Sequence, residues 1–387
     1  MRRRSPTGSW ARSVAPSRHS QGLDERLMRR ALALAARGLG ETNPNPLVGC
    51  VVARGERIVG EGFHARAGAP HAEVLALGRA GARAKGATLY VTLEPCAHHG
   101  RTPPCAPLVR ASGIARVVAA IRDPDPRVSG RGLRLLRAAG LRVSTGLLAV
   151  EAEAINARFL AAARRGRPFV LLKAALTLDG RIATASGESK WITSRAQRLQ
   201  ARWLRRLHDG VVVGIGTVLA DDPLLLPQPR TRRPFARVVL DTRLRLPLAS
   251  RLVRSASART PVLVLTAARS GARRRALEAR GVRVITLAAS GRMDPRNVLA
   301  ALRREGVASV MIEGGAEVLG SFLAARLVDE VALFRAPLLL GGRRSLSAFG
   351  GPDPKALGRA LRLEPVPEQP AFPWPWPPLF ERWRPKR

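Results

Sequence analysis

The chain has 387 residues, with 66 Lys and Arg against 28 Asp and Glu, and it carries a formal net charge of +38. This length predicts two domains, and a hydrophobic fraction of 46% excludes a globally disordered chain. No run of about eighteen apolar residues predicts a membrane span, and three cysteines cannot build a disulfide framework, so we expect a cytoplasmic protein with reduced thiols.

The basic excess is almost entirely arginine and is scattered over both halves of the chain. No basic stretch is interleaved with stacking aromatics, which make up only 4% of the residues. Net charge bears on solubility and non-specific binding, so we favour a compositional origin and expect no specific nucleic-acid partner. The first twenty residues lack the apolar centre of a signal peptide, and we expect residues 1–20 to be a disordered basic tail.

Apolar strands alternate with helical patterns in the first half, which predicts an α/β fold. Asp24 is placed to cap the first helix, and Pro103 and Gly113 are placed to begin and end a later one. We predict helices at residues 24–38, 71–83, 103–113 and 151–165, and strands at residues 47–52, 57–60, 88–93 and 115–121.

A basic segment at residues 164–168, with Gly166 and Pro168, separates this pattern from a second α/β pattern. We therefore predict one domain at residues 21–166 and another at residues 167–387. Strands are predicted at residues 169–176, 211–215, 237–241, 261–266, 282–285, 309–312 and 330–334, and helices at residues 194–208, 273–280, 295–304 and 316–326.

His71, Cys96 and Cys105 form the one constellation in the first half that indicates metal chemistry. One imidazole and two thiolates are the ligand set of a catalytic zinc that keeps its fourth position for water. His71 and Glu73 share the first turn of a predicted helix, and both cysteines follow a proline near predicted helix starts, where thiolate is stabilised. The sequence therefore predicts one zinc per chain, with Glu73 as the general acid and base.

His-x-Glu with a Pro-Cys motif is the signature of zinc deaminases, in which the glutamate moves protons rather than binding metal. This chain departs from that pattern because eight residues, not two, separate the cysteines. The alternative for His71, Cys96 and Cys105 is an exposed histidine and two small core residues. Cys50, within an apolar strand, is interpreted as a buried thiol.

Motifs on both sides of these ligands carry a specific resemblance. They read TNPNPLVGC at residues 42–50, GEGFH at 60–64, AG at 67–68, PHAE at 70–73 and TLEPCAHHGRTPPC at 92–105. With them, the chain resembles the bifunctional deaminase/reductase family of riboflavin biosynthesis, from about residue 24 onward. The eight-residue spacing between the cysteines is the one this family has.

The resemblance implies a cytidine-deaminase-like, three-layer domain in the first half. Such a domain removes the ring amine of a diaminopyrimidinone that carries ribosylamino and phosphate groups. Asn45 matches the family residue that contacts the pyrimidine, and an amide with both donor and acceptor suits a base edge. His98, His99 and Arg101 are candidates for the phosphate, although either histidine could instead brace the zinc loop.

Four motifs in order extend the resemblance through the second half: KAALTLDGR at residues 173–181, SGESKWIT at 186–193, GTVLADDP at 216–223 and EGG at 313–315. They imply a dihydrofolate-reductase-like domain that uses NADPH. The last motif follows a strand and opens a helix, which allows backbone to approach a phosphate. The NADPH contacts carried over by position are Ala175, Trp191, Thr217, Asp221, Thr242, Gly315, Ala316, Glu317, Val318, Leu319, Gly320 and Ser321. Substrate contacts carried over in the same way are Lys173, Ser189, Arg205, Leu225 and Glu313.

The segment after Pro223 departs from the family pattern. Where the family usually has an arginine, this chain has Gln228, and Arg230 lies two residues further on. Arg230 either takes over the phosphate contact or is one more solvated arginine. Two further alternatives stay open, because Asp179 could simply hold the turn with Gly180 and Arg205 could be a solvated helix residue.

The resemblance implies a homo-oligomeric enzyme with two reactions on phosphorylated pyrimidine ribotides. The first is zinc-dependent hydrolytic deamination of 2,5-diamino-6-(5-phosphoribosylamino)pyrimidin-4(3H)-one. The second is NADPH-dependent reduction of the ribosyl group of 5-amino-6-(5-phosphoribosylamino)uracil to ribityl. The alternatives are a zinc deaminase of nucleic acid bases, and a deaminase joined to an inactive reductase-like module, which the departure at Gln228 would explain.

Overall fold

The computed structural model describes residues 18–98, 103–125, 129–269, 271–288, 292–366 and 377–386. Within these ranges, no helix is both long enough and apolar enough to cross a membrane. Residues 1–17 of the predicted basic tail, and His99 and Arg101 of the predicted phosphate contacts, lie outside the described residues.

The first half forms a mixed five-stranded sheet between two layers of helices. Its strands are β1 (Gly49–Arg54), β2 (Arg57–Phe63), β3 (Thr88–Leu93), β4 (Arg116–Ile121) and β5 (Arg142–Thr145). Its helices are α1 (Arg18–Ala36), α2 (Ala72–Ala80), α3 (Cys105–Ala111), α4 (Arg131–Ala138), α5 (Ala149–Ile155) and α6 (Ala157–Arg165), with a 3-10 turn at Gly81–Ala84. The strand order is β2-β1-β3-β4-β5, and β1 is antiparallel to both of its neighbours whereas the other pairs are parallel. Helices α1 and α5 cover one face, and α2, α3 and α4 cover the other.

The second half is built on a nine-stranded sheet. Its strands are β6 (Phe169–Thr177), β8 (Gly210–Gly214), β9 (Ala236–Leu240), β10 (Val262–Thr266), β11 (Arg283–Thr286), β12 (Ser309–Ile312), β13 (Glu330–Ala336), β15 (Leu363–Pro365) and β16 (Glu381–Pro385), while β7 (Arg181–Ala183) and β14 (Leu346–Ser347) pair separately. Its helices are α7 (Arg195–Arg205), α8 (Ile215–Asp221), α9 (Arg251–Arg254), α10 (Ala272–Glu278), α11 (Pro295–Arg304) and α12 (Ala316–Ala324), with a 3-10 turn at Leu357–Arg359. The order is β11-β10-β9-β8-β12-β6-β13-β16-β15, parallel except at the β13–β16 and β16–β15 pairs.

The parallel centre of the second sheet determines where a ligand can bind. Strands β8, β12 and β6 are neighbours, so their carboxyl ends lie together at one edge. Open α/β sheets bind ligands outside the carboxyl ends of their strands. Gly214 at the end of β8 and Glu313 directly after β12 are thereby brought to the same edge.

The α/β fold class and the three-layer first half are confirmed, and each strand predicted in either half is present with bounds shifted by a few residues. The structure adds elements that the sequence analysis did not predict, namely α4, β5, β7, α8, α9, β14, β15 and β16. Most of these are short. The strands β15 and β16 come from the Pro- and Trp-rich end of the chain and complete one edge of the larger sheet. The domain boundary near residue 166 stays a prediction.

Two details of the predicted helices are wrong. Asp24 does not cap α1, which begins six residues earlier; its buried carboxylate accepts hydrogen bonds from Tyr90 Oη (2.6 Å) and from Arg116. The predicted helix at residues 151–165 is broken at Asn156. Its side-chain amide accepts from Leu47 N (2.8 Å) and donates to Leu47 O (3.0 Å), which pins the start of the first sheet to the break.

Candidate active sites

His71, Cys96 and Cys105 converge at one end of the first sheet. The His71 Nδ1 atom lies 3.1 Å from Cys105 Sγ and 3.6 Å from Cys96 Sγ, and the three donor atoms all lie within 4.8 Å of one another. No other group of three or more His, Cys, Asp or Glu in the described ranges has metal-ligand spacing. The alternative of an exposed histidine and two unrelated core cysteines is therefore wrong.

The geometry of this donor set fits zinc. Zn–S bonds of about 2.3 Å and Zn–N bonds of about 2.0–2.1 Å in a tetrahedron place nitrogen and sulfur about 3.6 Å apart. The two N–S distances, 3.1 and 3.6 Å, are close to that value. One nitrogen and two sulfurs leave a fourth tetrahedral position open, as catalytic zinc sites require.

The three groups of the triad shift one another's pKa values. A hydrogen bond from the Cys105 thiol lowers the pKa of Cys96, and the nearby His71 imidazole lowers it further. The same contact with Cys96 raises the pKa of Cys105, and the Cys96 sulfur raises that of His71. Cys96 therefore already favours the thiolate that metal binding needs.

Glu73 is buried beside the ligands because α2 packs unusually close to β2. His71 is the N-cap of α2, and Glu73 lies in its first turn with only 3% of its surface exposed. A Cβ atom at Gly62 of β2 would lie 2.6 Å from Ala72 O, so only glycine permits this approach. Burial raises the pKa of Glu73 to about 7, which suits a group that exchanges protons near neutrality.

The loop that carries Cys96 is held by Glu94, whose role the sequence analysis missed. The buried Glu94 carboxylate accepts hydrogen bonds from the backbone N–H groups of Asp123 (3.2 Å), Gly130 (2.9 Å) and Gly132 (3.0 Å). It thereby provides acceptors for N–H groups at the start of α4 that have no partner within the helix. Cys96 itself lies in this loop rather than at a helix start, which corrects the prediction. Its sulfur accepts from the N–H of Cys105, the first residue of α3.

Asn45 is oriented by His64. The His64 Nδ1 atom lies 3.2 Å from Pro70 O, which can only accept, so Nδ1 carries the proton and Nε2 is an acceptor. Asn45 Nδ2 donates to that Nε2 at 3.1 Å, which leaves Asn45 Oδ1 available to accept from a ligand. The His64 ring lies edge-on to His71 with centroids 5.5 Å apart, so Asn45 belongs to the same site.

A second, large open cavity lies at the carboxyl ends of β6, β8 and β12. Fourteen residues carried over from the family resemblance line it: Ala175, Trp191, Thr217, Asp221, Gly315, Ala316, Glu317, Val318, Leu319, Lys173, Ser189, Arg205, Leu225 and Glu313. Thr242, Gly320 and Ser321 do not line it. Gly320 instead packs on Gly350, whose carbonyl oxygen would lie 1.8 Å from a Cβ atom at residue 320.

A buried charge cluster lies in this cavity. Arg205 pairs with Glu313 through two hydrogen bonds of 2.6 and 3.0 Å, and Lys173 Nζ lies 3.8 Å from Glu313 Oε2. Burial alone would raise the pKa of Glu313, but the charges of Arg205 and Lys173 outweigh it and hold that pKa below its usual value. Burial lowers the pKa of Lys173. Arg205 is therefore not a solvated helix residue, and that alternative is wrong.

Three other residues singled out from the sequence, Asp179, Arg230 and His98, differ in their contacts and exposure. Asp179 accepts from Thr177 Oγ1 (2.6 Å) and from the N–H groups of Leu340 and Gly341, so it holds two turns together. Arg230 lines the cavity, and its side chain has no hydrogen bond or ion pair among the described residues. His98 is exposed.

Gln228 has a cationic neighbour that the sequence analysis did not single out. Arg202 Nη1 donates to Gln228 Oε1 at 3.3 Å, and Gln228 N donates to Arg202 O at 3.1 Å. Arg202 lies one helical turn before Arg205 and also lines the cavity. The spacing of these two arginines on α7 was the signal that could have found it.

Two family models match the chain. Residues 21–121 match the cytidine and deoxycytidylate deaminase zinc-binding region, and residues 168–368 match the RibD C-terminal domain. The riboflavin biosynthesis protein RibD of Bacillus amyloliquefaciens is 47% identical over 85% of this chain and 88% of its own length. The protein of the same name from Escherichia coli strain K12 is 44% identical over 82% of this chain and 89% of its own length.

Solved structures agree with these sequence matches. Acinetobacter baumannii RibD, form 2, is 37% identical, covers 95% of this chain and all (100%) of its own, and has a TM-score of 0.83. The Thermotoga maritima diaminohydroxyphosphoribosylaminopyrimidine deaminase/5-amino-6-(5-phosphoribosylamino)uracil reductase is 35% identical with the same coverage and a TM-score of 0.80. The chain therefore belongs to the RibD family of bifunctional riboflavin-biosynthesis enzymes, which join a zinc-dependent deaminase to an NADPH-dependent reductase.

Proposed function

We propose that the first half deaminates 2,5-diamino-6-(5-phosphoribosylamino)pyrimidin-4(3H)-one and that the second half reduces the resulting 5-amino-6-(5-phosphoribosylamino)uracil. The observation that carries the deaminase proposal is the triad His71, Cys96 and Cys105 with Glu73 buried beside it. In this proposal, the triad holds one zinc per chain, and Asn45 Oδ1 accepts a hydrogen bond from the pyrimidine edge.

Bound zinc would lower the pKa of a water molecule and so supply a nucleophile at neutral pH. Glu73 moves the protons. Its carboxylate accepts the first proton of the attacking water and gives it to a ring nitrogen. It then transfers the second proton, from the hydroxyl that the attack leaves on the ring carbon, to the amine, which departs as ammonia while the carbonyl forms. Only 3% of Glu73 is exposed, so its carboxylate has little contact with bulk solvent.

In the reductase half, the cavity would hold both the cofactor and the ribotide. NADPH supplies the hydride that converts the ribosyl group to ribityl. The start of α12 offers backbone N–H groups to a phosphate, because Gly315 is its N-cap and no side chain there blocks an approaching ligand. Lys173, Ser189, Arg205, Leu225 and Glu313 are the proposed substrate contacts.

The ribotide phosphate needs cationic partners. The guanidinium of Arg205 is already bound to Glu313 and to Leu226 O, which limits what it offers to an anion. Arg202 and Arg230 line the same cavity near Gln228. We therefore assign the phosphate to Arg230 together with Arg202. These two residues would replace the arginine that the family usually has at the position of Gln228.

A homo-oligomer in the cytoplasm is the proposed state of the enzyme. None of the three cysteines, which all lie in the described ranges, forms a disulfide, as expected in a reducing compartment. The exposed side chains of Leu178 (54%), Leu338 (42%) and Leu339 (70%) lie close together, because Leu178 N donates to Leu338 O. Light scattering of the purified protein would test whether copies associate.

The decisive experiment follows both reactions with the purified, zinc-loaded protein. We expect the diaminopyrimidinone ribotide to release ammonia without NADPH and to give the ribityl product only when NADPH is added. Glu73→Gln should abolish ammonia release but still reduce the uracil ribotide, because hydride transfer needs none of the zinc site. A wild-type protein that releases no ammonia, or a Glu73→Gln variant inactive in both reactions, would contradict the proposal.

A further inference from the structure

The turn that carries Asn45 rests on the reductase half of the molecule. This turn connects α1 to β1, and three of its residues form hydrogen bonds with the second half. Gly40 O accepts from Arg233 Nε (2.9 Å), and Asn43 Nδ2 donates to Leu207 O (3.3 Å) and to Ser309 Oγ (3.4 Å). These contacts begin only five residues before Asn45.

Glu41 makes the strongest of these contacts. Its Oε1 atom accepts from Arg206 Nη2 at 2.7 Å, and its Oε2 atom accepts from the backbone N–H of Arg232 at 3.0 Å. The side chains of Glu41 and Arg206 are each only 20% exposed, so the ion pair is partly shielded from water. Charge-assisted hydrogen bonds of this length are about twice as strong as neutral ones.

Arg233, which follows Arg232 in the chain, holds the backbone that carries the two partners of Glu41. Arg233 is 9% exposed and donates to Arg206 O (2.8 Å), to His208 O (2.6 Å) and to Asp209 Oδ1 (3.2 Å). It therefore binds the carbonyl groups at the end of α7, where a cation is favourable. The surface that receives the turn is thus a fixed part of the second half.

Hydrogen bonds inside the turn connect Glu41 to Asn45. Glu41 N and Thr42 N both donate to Gly38 O, and Asn45 N donates to Thr42 O at 2.9 Å. Thr42 is 1% exposed. A shift of Glu41 therefore displaces Thr42 and, through it, the Asn45 amide that donates to His64.

We propose that Glu41 and Arg206 are positioning residues of the deaminase, and that the reductase half completes the deaminase substrate site by fixing the turn that presents Asn45. The inference rests on the proposed contact between Asn45 and the pyrimidine. It concerns substrate binding and not the zinc chemistry, because no atom of Glu41 or Arg206 belongs to the triad or to Glu73.

The test is a double-mutant cycle in the full-length, zinc-loaded protein. We expect Glu41→Ala to raise the KM for the diaminopyrimidinone ribotide about tenfold with little change in kcat, since preorganisation of a binding residue is lost. Zinc content and the kinetics of uracil-ribotide reduction should match those of the wild type. In an Asn45→Ala background, Glu41→Ala should raise KM no further, because Glu41 acts through Asn45.

Glu153→Ala is the matched control. Glu153 pairs with Arg164 at 2.6 Å, but both side chains are nearly half exposed, and among the described residues neither forms a hydrogen bond or ion pair with the turn, so KM should not change. Glu41→Gln serves as the milder variant if Glu41→Ala folds poorly, and it should raise KM by a smaller factor.

An unchanged KM in both Glu41 variants, or effects of Glu41→Ala and Asn45→Ala that multiply independently, would overturn the inference. Absence of ammonia release in the wild type would instead overturn the proposed function.

Discussion

Arg205 and Glu313 form a two-pronged ion pair within the reductase cavity, with N–O distances of 2.6 and 3.0 Å. Their side chains are 13% and 8% exposed, so each charge depends on the other. One comes from the last turn of α7 and the other from the residue after β12, so the pair also ties a helix to the central sheet. A substrate phosphate near Arg205 must therefore share this arginine with Glu313.

Removal of Arg205 should destabilise the protein. Among the described residues, Arg205→Ala leaves the buried Glu313 with Lys173, at 3.8 Å, as its one remaining ion-pair partner, and Arg202 acts on it only through its charge. Loss of one member of a buried ion pair costs about 3–5 kcal/mol of unfolding free energy. Arg164→Ala is the control, because its exposed pair with Glu153 contributes less than about 1 kcal/mol. Chemical denaturation of both variants measures the difference, and equal losses would contradict the assigned burial of the pair.

The zinc content of cysteine variants should distinguish the zinc ligands from Cys50. Cys96→Ser should lose most of the zinc and all ammonia release, because a hydroxyl replaces the thiolate that the site already favours. Cys50→Ala should keep the metal, since Cys50 is fully buried in β1 and is not part of the triad. Equal zinc content in the two variants would contradict the ligand assignment.

Arg230 should contribute to ribotide binding in the reductase step. A lost phosphate contact removes binding that is equal in ground and transition states, so Arg230→Ala should raise KM with kcat little changed. A charge-assisted contact of about 1.5–3 kcal/mol corresponds to about ten- to a hundredfold in affinity. NADPH affinity should stay constant.

Arg202→Ala offers an internal comparison with Arg230→Ala. It removes the donor to Gln228 from the same cavity and should raise the ribotide KM as well. If neither variant changes KM, both arginines are solvated surface residues and Arg205 is the anchor. If only Arg202→Ala has an effect, Arg202 alone takes the place of the usual arginine.

His208 should make folding stability depend on pH. Its ring is fully buried, and burial, reinforced by the charges of Arg158, Arg233 and Arg382, lowers its pKa well below the usual value. As the pH falls through about 6.5, the unfolded chain binds a proton that the folded state refuses. The free energy of unfolding should then fall by up to about 1.4 kcal/mol per pH unit from this group.

His208→Leu removes that contribution. The difference in unfolding free energy between wild type and variant should therefore change between pH 7 and pH 5, with the wild type losing more stability on acidification. Denaturation curves at several pH values provide the measurement. Parallel pH profiles would show that His208 takes up its proton over the same pH range in the folded and unfolded states, which would contradict the prediction.

The zinc site could be predicted from the sequence because each of its parts lies in a short motif and because these motifs follow the zinc-deaminase pattern. His71 and Glu73 share a helix start, and Cys105 is the first residue of α3 behind two prolines. The strand-and-helix alternation likewise determined the α/β class, since hydrophobic periodicity reports which face of each element is buried. These features depend on neighbours within a few residues.

Only the tertiary structure decided which distant groups meet. Glu94 holds the start of α4 from 36 to 39 residues away, and Glu41 meets Arg206 across 165 residues. The chain is full of arginines, so no local pattern distinguishes Arg205, which Glu313 binds, from Arg230, which has no partner among the described residues. Long-range pairing is set by the packing of whole sheets and helices, and outside a recognised motif such as the zinc triad the sequence spacing does not reveal it.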